Sequence, residues 1–363
     1  MSHRLSAAGP DESPDQQQRR GLAENVTRWL ALMLLLAIVL AAVTVFSMGM
    51  GAVHIAPAAI LRALFHHDAL STTDRVILLE VRLPRVLASG LVGAALAVAG
   101  LMFQGLFRNP MADPYVIGSS GGAIFGAAVG IFFFSQVSLL GFSATAMLAF
   151  AGSVVAMALV YWLAQSGEQT SVVTLLLAGF AVSAMLTNST YFFELLDSSG
   201  GTSSRILISW LYGSVGTPPW TQLAISAAVI SVAMIASFPL MRRLNTLALG
   251  DEYALQLGLR VEYTRVGIIL FGSLLTAVAV ALGGLISFAG LVVPHVARLL
   301  LGPDHVRLLP VTALGGAIFL MLADTLARSV IAPSEIPVGI LMAFLGGPFF
   351  LYLLRKTKRG YAV

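Results

Sequence analysis

Apolar stretches of about one membrane thickness recur along the chain, separated by short polar or glycine-rich breaks. A helix needs about 20 mostly apolar residues to cross a bilayer. Ten stretches approach or exceed that length: 28–47, 86–106, 115–134, 143–165, 172–194, 220–240, 264–283, 285–301, 309–328 and 337–354. The seventh and eighth are barely separate, because only Gly283 and Gly284 interrupt the apolar run. The pattern predicts an all-α polytopic membrane protein with about ten transmembrane helices, its membrane domain covering 28–355. Residues 1–27, with Pro10, Pro14 and a QQQRR run, read as a disordered tail, and 356–363 as a second tail. The Arg19–Arg20 pair before an apolar run has the look of a secretion signal, but no small-residue cleavage site follows, so a retained first span is expected.

Composition agrees. Hydrophobic residues make up 58% of the chain and charged residues 10%, against roughly 25% charged in a soluble domain. A water-soluble enzyme, a nucleic-acid binder and a disordered protein are all excluded. The absence of cysteine rules out a disulfide framework, thiolate catalysis and Cys-ligated metal. Ten spans put both termini on one side. With that side inside, only Arg62, Arg75, Arg82, Arg85, Arg205 and Arg328 of the 21 Lys and Arg face outward, so both termini are expected in the cytoplasm. The longest outer segment is 48–85, and the longest inner one, 241–263, fits one or two short amphipathic helices broken at Gly258. More order than a tether requires suggests a docking surface.

Small residues suggest how the spans pack. Gly118, Gly122, Gly126 and Gly130 fall on one helix stripe, a packing groove first and a substrate-facing surface only secondarily. Gly90, Gly93, Ala97 and Gly100, and Gly315, Gly316 and Ala323, suggest similar close approach. Pro294, beside His295, and Pro348 mark kinks or unwound backbone.

The chemistry for an energy source is missing. No lysine precedes Lys356, so the chain has no phosphate-binding P-loop. Glu194, Asp197 and Asp324 lie near span ends, where they are solvated or paired, and give a proton relay weak support. Asp324 and Arg328 share a helix face at i, i+4 and suit an ion pair. Gly118-Ser119-Ser120-Gly121 matches a serine-protease pattern with His295 as the base, but four residues in a Gly/Ser-rich run match by chance. His66, His67 and Asp68 suggest a metal cluster, yet adjacent histidines point apart and a solvated loop is the simpler reading. Energy is expected from a partner.

Six segments taken together resemble the FecCD/BtuC-type permease family: RLPR at 82–85, QGLFRNPMADPYVIGSSGGA at 104–123, LALGDEYALQLGL at 247–259, GLISFAGLVVPHVARLLLG at 284–302, ADTLAR at 323–328 and SEIPVGILMAFLGGPFFLYLL at 334–354. The resemblance implies the type II ABC importer permease fold and a ten-span subunit that pairs with a second copy of itself in the bacterial inner membrane. Its implied partners are membrane lipid, a cytoplasmic ABC ATPase dimer that holds the ATP and magnesium, and a periplasmic or lipid-anchored substrate-binding protein; no nucleic acid is expected. The cargo implied is an iron–siderophore, haem or cobalamin, moved by alternating access. An ion-coupled secondary transporter is the alternative, and it would need midplane carboxylates or ion-coordinating broken helices.

The resemblance also assigns residues. Coupling helices at about 245–262 would seat on the ATPase through Leu249, Gly250, Asp251, Glu252, Ala254, Leu257 and Gly258. The two acids at 251 and 252 exceed the single acidic residue usual there. Arg82, Arg85 and Arg328 match arginines presented to the binding protein, with lipid headgroups or intramolecular pairing as the alternative. The path would be lined by Met185, Asn188, Ser189, Tyr191 and Phe192, then Trp210 and Tyr212, each of which core packing explains equally well when taken singly. His295 and Arg298 carry a structural role near the inner interface.

Overall fold

The computed structural model describes residues 14–51, 55–56, 60, 71–166, 169–197 and 200–360, without the side chains of 14–25, 72, 166, 169–170 and 356–360. Arg62, His66, His67 and Asp68 lie outside the described residues. The helices are α1 (Pro14–Gly49), α2 (Leu83–Leu106), α3 (Ser119–Phe133), α4 (Ala144–Ala164), α5 (Val172–Leu195), α6 (Thr202–Leu211), α7 (Trp220–Leu247), α8 (Asp251–Gln256), α9 (Val261–Gly283), α10 (Ala289–Leu301), α11 (His305–Ala327) and α12 (Val338–Gly360). A short helix Thr72–Val76 and a π-helical turn Ile77–Arg82 lead straight into α2. Two-residue strand pairs close the α3–α4 and α4–α5 connections.

Eight of these helices are long and apolar enough to span a membrane among the described residues, and α3 and α10 are apolar but shorter. The ten apolar stretches are all helical. The differences lie at their ends. α1 begins at Pro14 rather than near 28, so residues 14–27 are helix where a disordered tail was expected; Pro suits a first helical turn and Gln and Arg propagate one. α12 likewise runs to Gly360, past the expected tail boundary. α7 continues to Leu247 through Pro239, and α8 is the single short helix between α7 and α9, ending before Gly258.

α2 is the axis of the bundle. Helices α7, α9, α10 and α11 pack around it, and 83% of its most apolar window is buried, against 11% for α1 and 17% for α5. Small residues allow this. A Cβ at Gly93 would fall 2.1 Å from Gly316 O, and one at Gly100 would fall 1.8 Å from Gly290 O. The α3 stripe is a packing groove too, since a Cβ at Gly122 or Gly126 would fall 2.2 or 1.9 Å from a backbone oxygen of α4.

The two short helices meet at their starts. α3 and α10, of 15 and 13 residues, are roughly 20 Å long at 1.5 Å per residue, less than the ~30 Å hydrocarbon core. The chain before α10 is unwound over 284–288, so the break is wider than the glycine pair suggested. Its backbone is satisfied by side chains from the α2–α3 connection. Tyr115 Oη donates to Ile286 O and accepts from Ile286 N, both at 3.3 Å. Gln104 Nε2 donates at 3.2 Å to the carbonyls of Gly290 and Leu291. Pro294 has no N–H for Gly290 O, four residues back, so Gln104 replaces the missing helical bond.

Candidate functional site

At the end of the bundle that carries the termini, α8 projects an uncovered apolar surface. Leu249, Tyr253, Leu255 and Leu257 are all more than half exposed, while Ala254 is fully buried. Gly250 makes the turn from α7 at φ 118°, and Gly258 leaves α8 at φ 78°, conformations a β-carbon disfavours. Asp251, its side chain 42% exposed, is engaged within the chain. It accepts from Arg108 in the α2–α3 connection and from Arg265 on α9, and Arg265 also lies 3.7 Å from Glu262. The six-residue helix is therefore pinned to both neighbours of its parent span. Glu252 remains exposed.

The opposite end holds a cluster of charges under cover. Asp324, with 2% of its side chain exposed, pairs with Arg85 at 3.0 Å and stands 3.7 Å from Arg328 Nε, an ion-pair distance without a hydrogen bond. Arg82 and Arg328 are each 6% exposed. Arg82 donates to Met48 O at 2.6 Å, and Arg328 donates to Ser47 O. Thr325 donates to Ser47 Oγ at 2.7 Å, which ties α11 to the end of α1. All three arginines make intramolecular contacts, the pairing held open above as the alternative to docking. The carbonyls at the end of α1 and the carboxylate on α11 draw two of them inside, and only Arg85 reaches an exposed partner, Glu335, at 2.8 Å.

On α5, Met185, Asn188, Tyr191 and Phe192 are exposed and Ser189 is half-buried. The polar members are satisfied within the helix: Asn188 donates to Ala184 O at 2.7 Å and Ser189 to Met185 O at 2.8 Å. Exposed Leu177 and Phe180 extend the same helix toward its start. Tyr212 is exposed as well, and Trp210 is half-buried, packing against Ala123, Ala127, Ala149 and Val280 while also lining a cavity with Ile206, Thr217 and Gln222. A cavity of about 450 Å³ opens between Tyr212, the unwound Leu285 and Ser287, and Ile340 and Phe344 of α12. His295 rests edge-on against Phe349 of α12, a structural placement.

A sequence model of the FecCD transport family matches residues 35–356, nearly the whole described chain. The chain belongs to that family. Among its relatives, the haemin transport system permease protein of Yersinia pestis is 39% identical over 79% of this chain and 86% of its own length. A cobalamin import system permease protein of Halobacterium salinarum is 41% identical over 79% of this chain and 75% of its own. An iron(3+)-hydroxamate import system permease protein of Bacillus subtilis is 37% identical over 86% and 93%. A solved structure described as an inward-facing conformation of a metal-chelate type ABC transporter superposes with a TM-score of 0.77 at 30% identity, covering 90% of this chain and 99% of that one. This FecCD protein is thus a multi-span permease subunit of an ABC importer.

For a FecCD permease the structure adds residues that sequence reasoning passed over. Arg108 and Arg265 hold α8 through Asp251, and Glu335 completes the arginine cluster. Each was visible as a charge in a resembling segment or beside one, but nothing local indicates a partner 14 to 250 positions away.

Proposed function

We propose that this FecCD permease carries a metal chelate, haem or cobalamin inward across the inner membrane, with two copies of the chain enclosing the path. The termini and α8 lie in the cytoplasm. A separate ABC ATPase binds ATP and magnesium and seats on α8, and a periplasmic or lipid-anchored binding protein delivers cargo at the arginine end. The observation that carries this reading is the geometry of α8: four large apolar side chains uncovered outside the spans, two on and two flanking a short helix that ion pairs hold stiff. A stiff lever suits the conversion of ATPase closure into span movement. Support for the cargo class comes from the relatives, whose substrates are haemin, cobalamin and an iron(3+)-hydroxamate. The exposed α5 surface, apolar and aromatic with its polar groups bonded to the helix's own carbonyls, suits a large ligand that must pass without binding tightly.

Uptake into vesicles tests the reading. Haemin, cobalamin or a ferric hydroxamate should enter only when ATP, the ATPase and the binding protein are all present. Accumulation by the permease alone under a proton gradient would overturn it in favour of a secondary transporter.

A further inference from the structure

Arg85 is shared between two carboxylates of opposite character. Its Nε and Nη2 donate to Asp324 at 3.0–3.3 Å, and Asp324 is buried. Its Nη1 donates to both oxygens of Glu335, at 2.8 and 3.1 Å, and 48% of the Glu335 side chain is exposed. One edge of the guanidinium is therefore fixed in the bundle and the other faces an exposed carboxylate. Arg82 and Arg328 are each 6% exposed and donate to carbonyls of α1 beneath the surface.

Glu335 stands three residues before α12, one of the least buried spans, with 22% of its most apolar window covered. The start of α12 is held by few bonds. Ile336 N donates to Ala327 O at 3.0 Å, Gly339 N donates to Gly213 O at 3.2 Å, and Glu335 reaches across to Arg85. Beyond these, Gly339, Ile340, Ala343 and Phe344 form one wall of the cavity beside the unwound 284–288 segment.

We propose that the Arg85–Glu335 pair is a latch on the start of α12, and that a carboxylate on a docking partner opens it by taking Glu335's place on Arg85. The proposal rests on docking at the arginine end. The exchange strands no charge: Arg85 keeps Asp324 throughout, and one carboxylate follows another on Nη1. A solvent-exposed ion pair is weak enough to be exchanged. Once Glu335 is free, the loop before α12 loses its tie to α2 and the cavity wall gains room to move. The arginine cluster then does two tasks, with Arg82 and Arg328 closing the bundle and Arg85 sensing the partner.

The chain has no cysteine, so a single introduced thiol reports on α12. Val338, 2% exposed at the start of that helix, is the position to use. In nanodiscs, Val338→Cys should react slowly with a maleimide, Glu335→Gln should raise that rate severalfold, and Glu335→Asp should restore much of the slow rate. A thiol placed at buried Ser153 on α4 should keep its rate in every variant, which separates latch opening from unfolding. A fluorescent glutamate-rich peptide serves as the docking probe. It should raise the Val338→Cys rate in the otherwise unaltered chain and bind about two- to fivefold more tightly to Glu335→Gln, roughly what loss of an exposed competing pair is worth. An unchanged thiol rate in Glu335→Gln, or peptide binding that leaves the rate unchanged, overturns the latch. Failure of the peptide to bind either form, with the thiol rate still raised in Glu335→Gln, overturns the docking reading and with it the exchange.

Discussion

The two ends of this permease use charge in opposite ways. At the α8 end, Asp251, Arg108 and Glu252 sit in the open, and ion pairs hold a short helix whose apolar side chains stay uncovered. At the other end, Asp324 and Arg328 are nearly inaccessible, and buried charge lies beside the apolar packing between α1, α2 and α11. Exposed pairs contribute little stability because water screens them, whereas a buried charge deprived of its partner is expensive. The α8 end is therefore built for contact and the arginine end for closure, with Arg85 alone reaching outward.

The sharpest way to break that contrast is Asp324→Ala. It leaves Arg85 and Arg328 without their shared carboxylate and should destabilise the protein by about 3–5 kcal/mol, read as a large fall in the thermal midpoint of the detergent-solubilised chain. Gly100→Val comes next, because any β-carbon there meets Gly290 O; overpacking of this kind costs about 1–3 kcal/mol. Gln104→Leu should follow with a loss of about 1–3 kcal/mol, the desolvation of carbonyls left unpaired beside Pro294. At the α8 end the same measurement should hardly move. Asp251→Asn should cost less than about 1 kcal/mol yet lower the transport obtained per ATP hydrolysed by the reconstituted importer, because α8 loses its bracket. Leu257→Asp should shift the midpoint least, within about 0.5 kcal/mol, and yet abolish co-purification of the ATPase. A large stability loss in either α8 variant would erase the distinction between the ends.

Much of this was legible in the residues. Apolar run length located a helix at each of the ten stretches, eight of them long enough to span a membrane, and the four-residue spacing of Gly118, Gly122, Gly126 and Gly130 identified a groove that α4 occupies. The i, i+4 spacing of Asp324 and Arg328 foretold their pair. Helix ends were less legible, since α1 extends back to Pro14 and the break before α10 runs to 288, where Tyr115 and Gln104 hold it open. Burial of Arg82 and Arg328 was legible only as the alternative of intramolecular pairing. Arg82 and Arg328 look like rim residues until the carbonyls of Met48 and Ser47 arrive from a helix far away in the chain.

Whether a segment enters the membrane depends on the summed transfer free energy of neighbouring residues, a local quantity, so the amino-acid order alone located the apolar helices and carried the family resemblance. Which charges are buried, which backbone breaks are satisfied and which surfaces stay open depend on contacts between segments tens to hundreds of residues apart. Those belonged to the packed bundle. Asp251 shows the division in one residue: its motif carried the family resemblance, and only the fold showed that its carboxylate bridges Arg108 and Arg265.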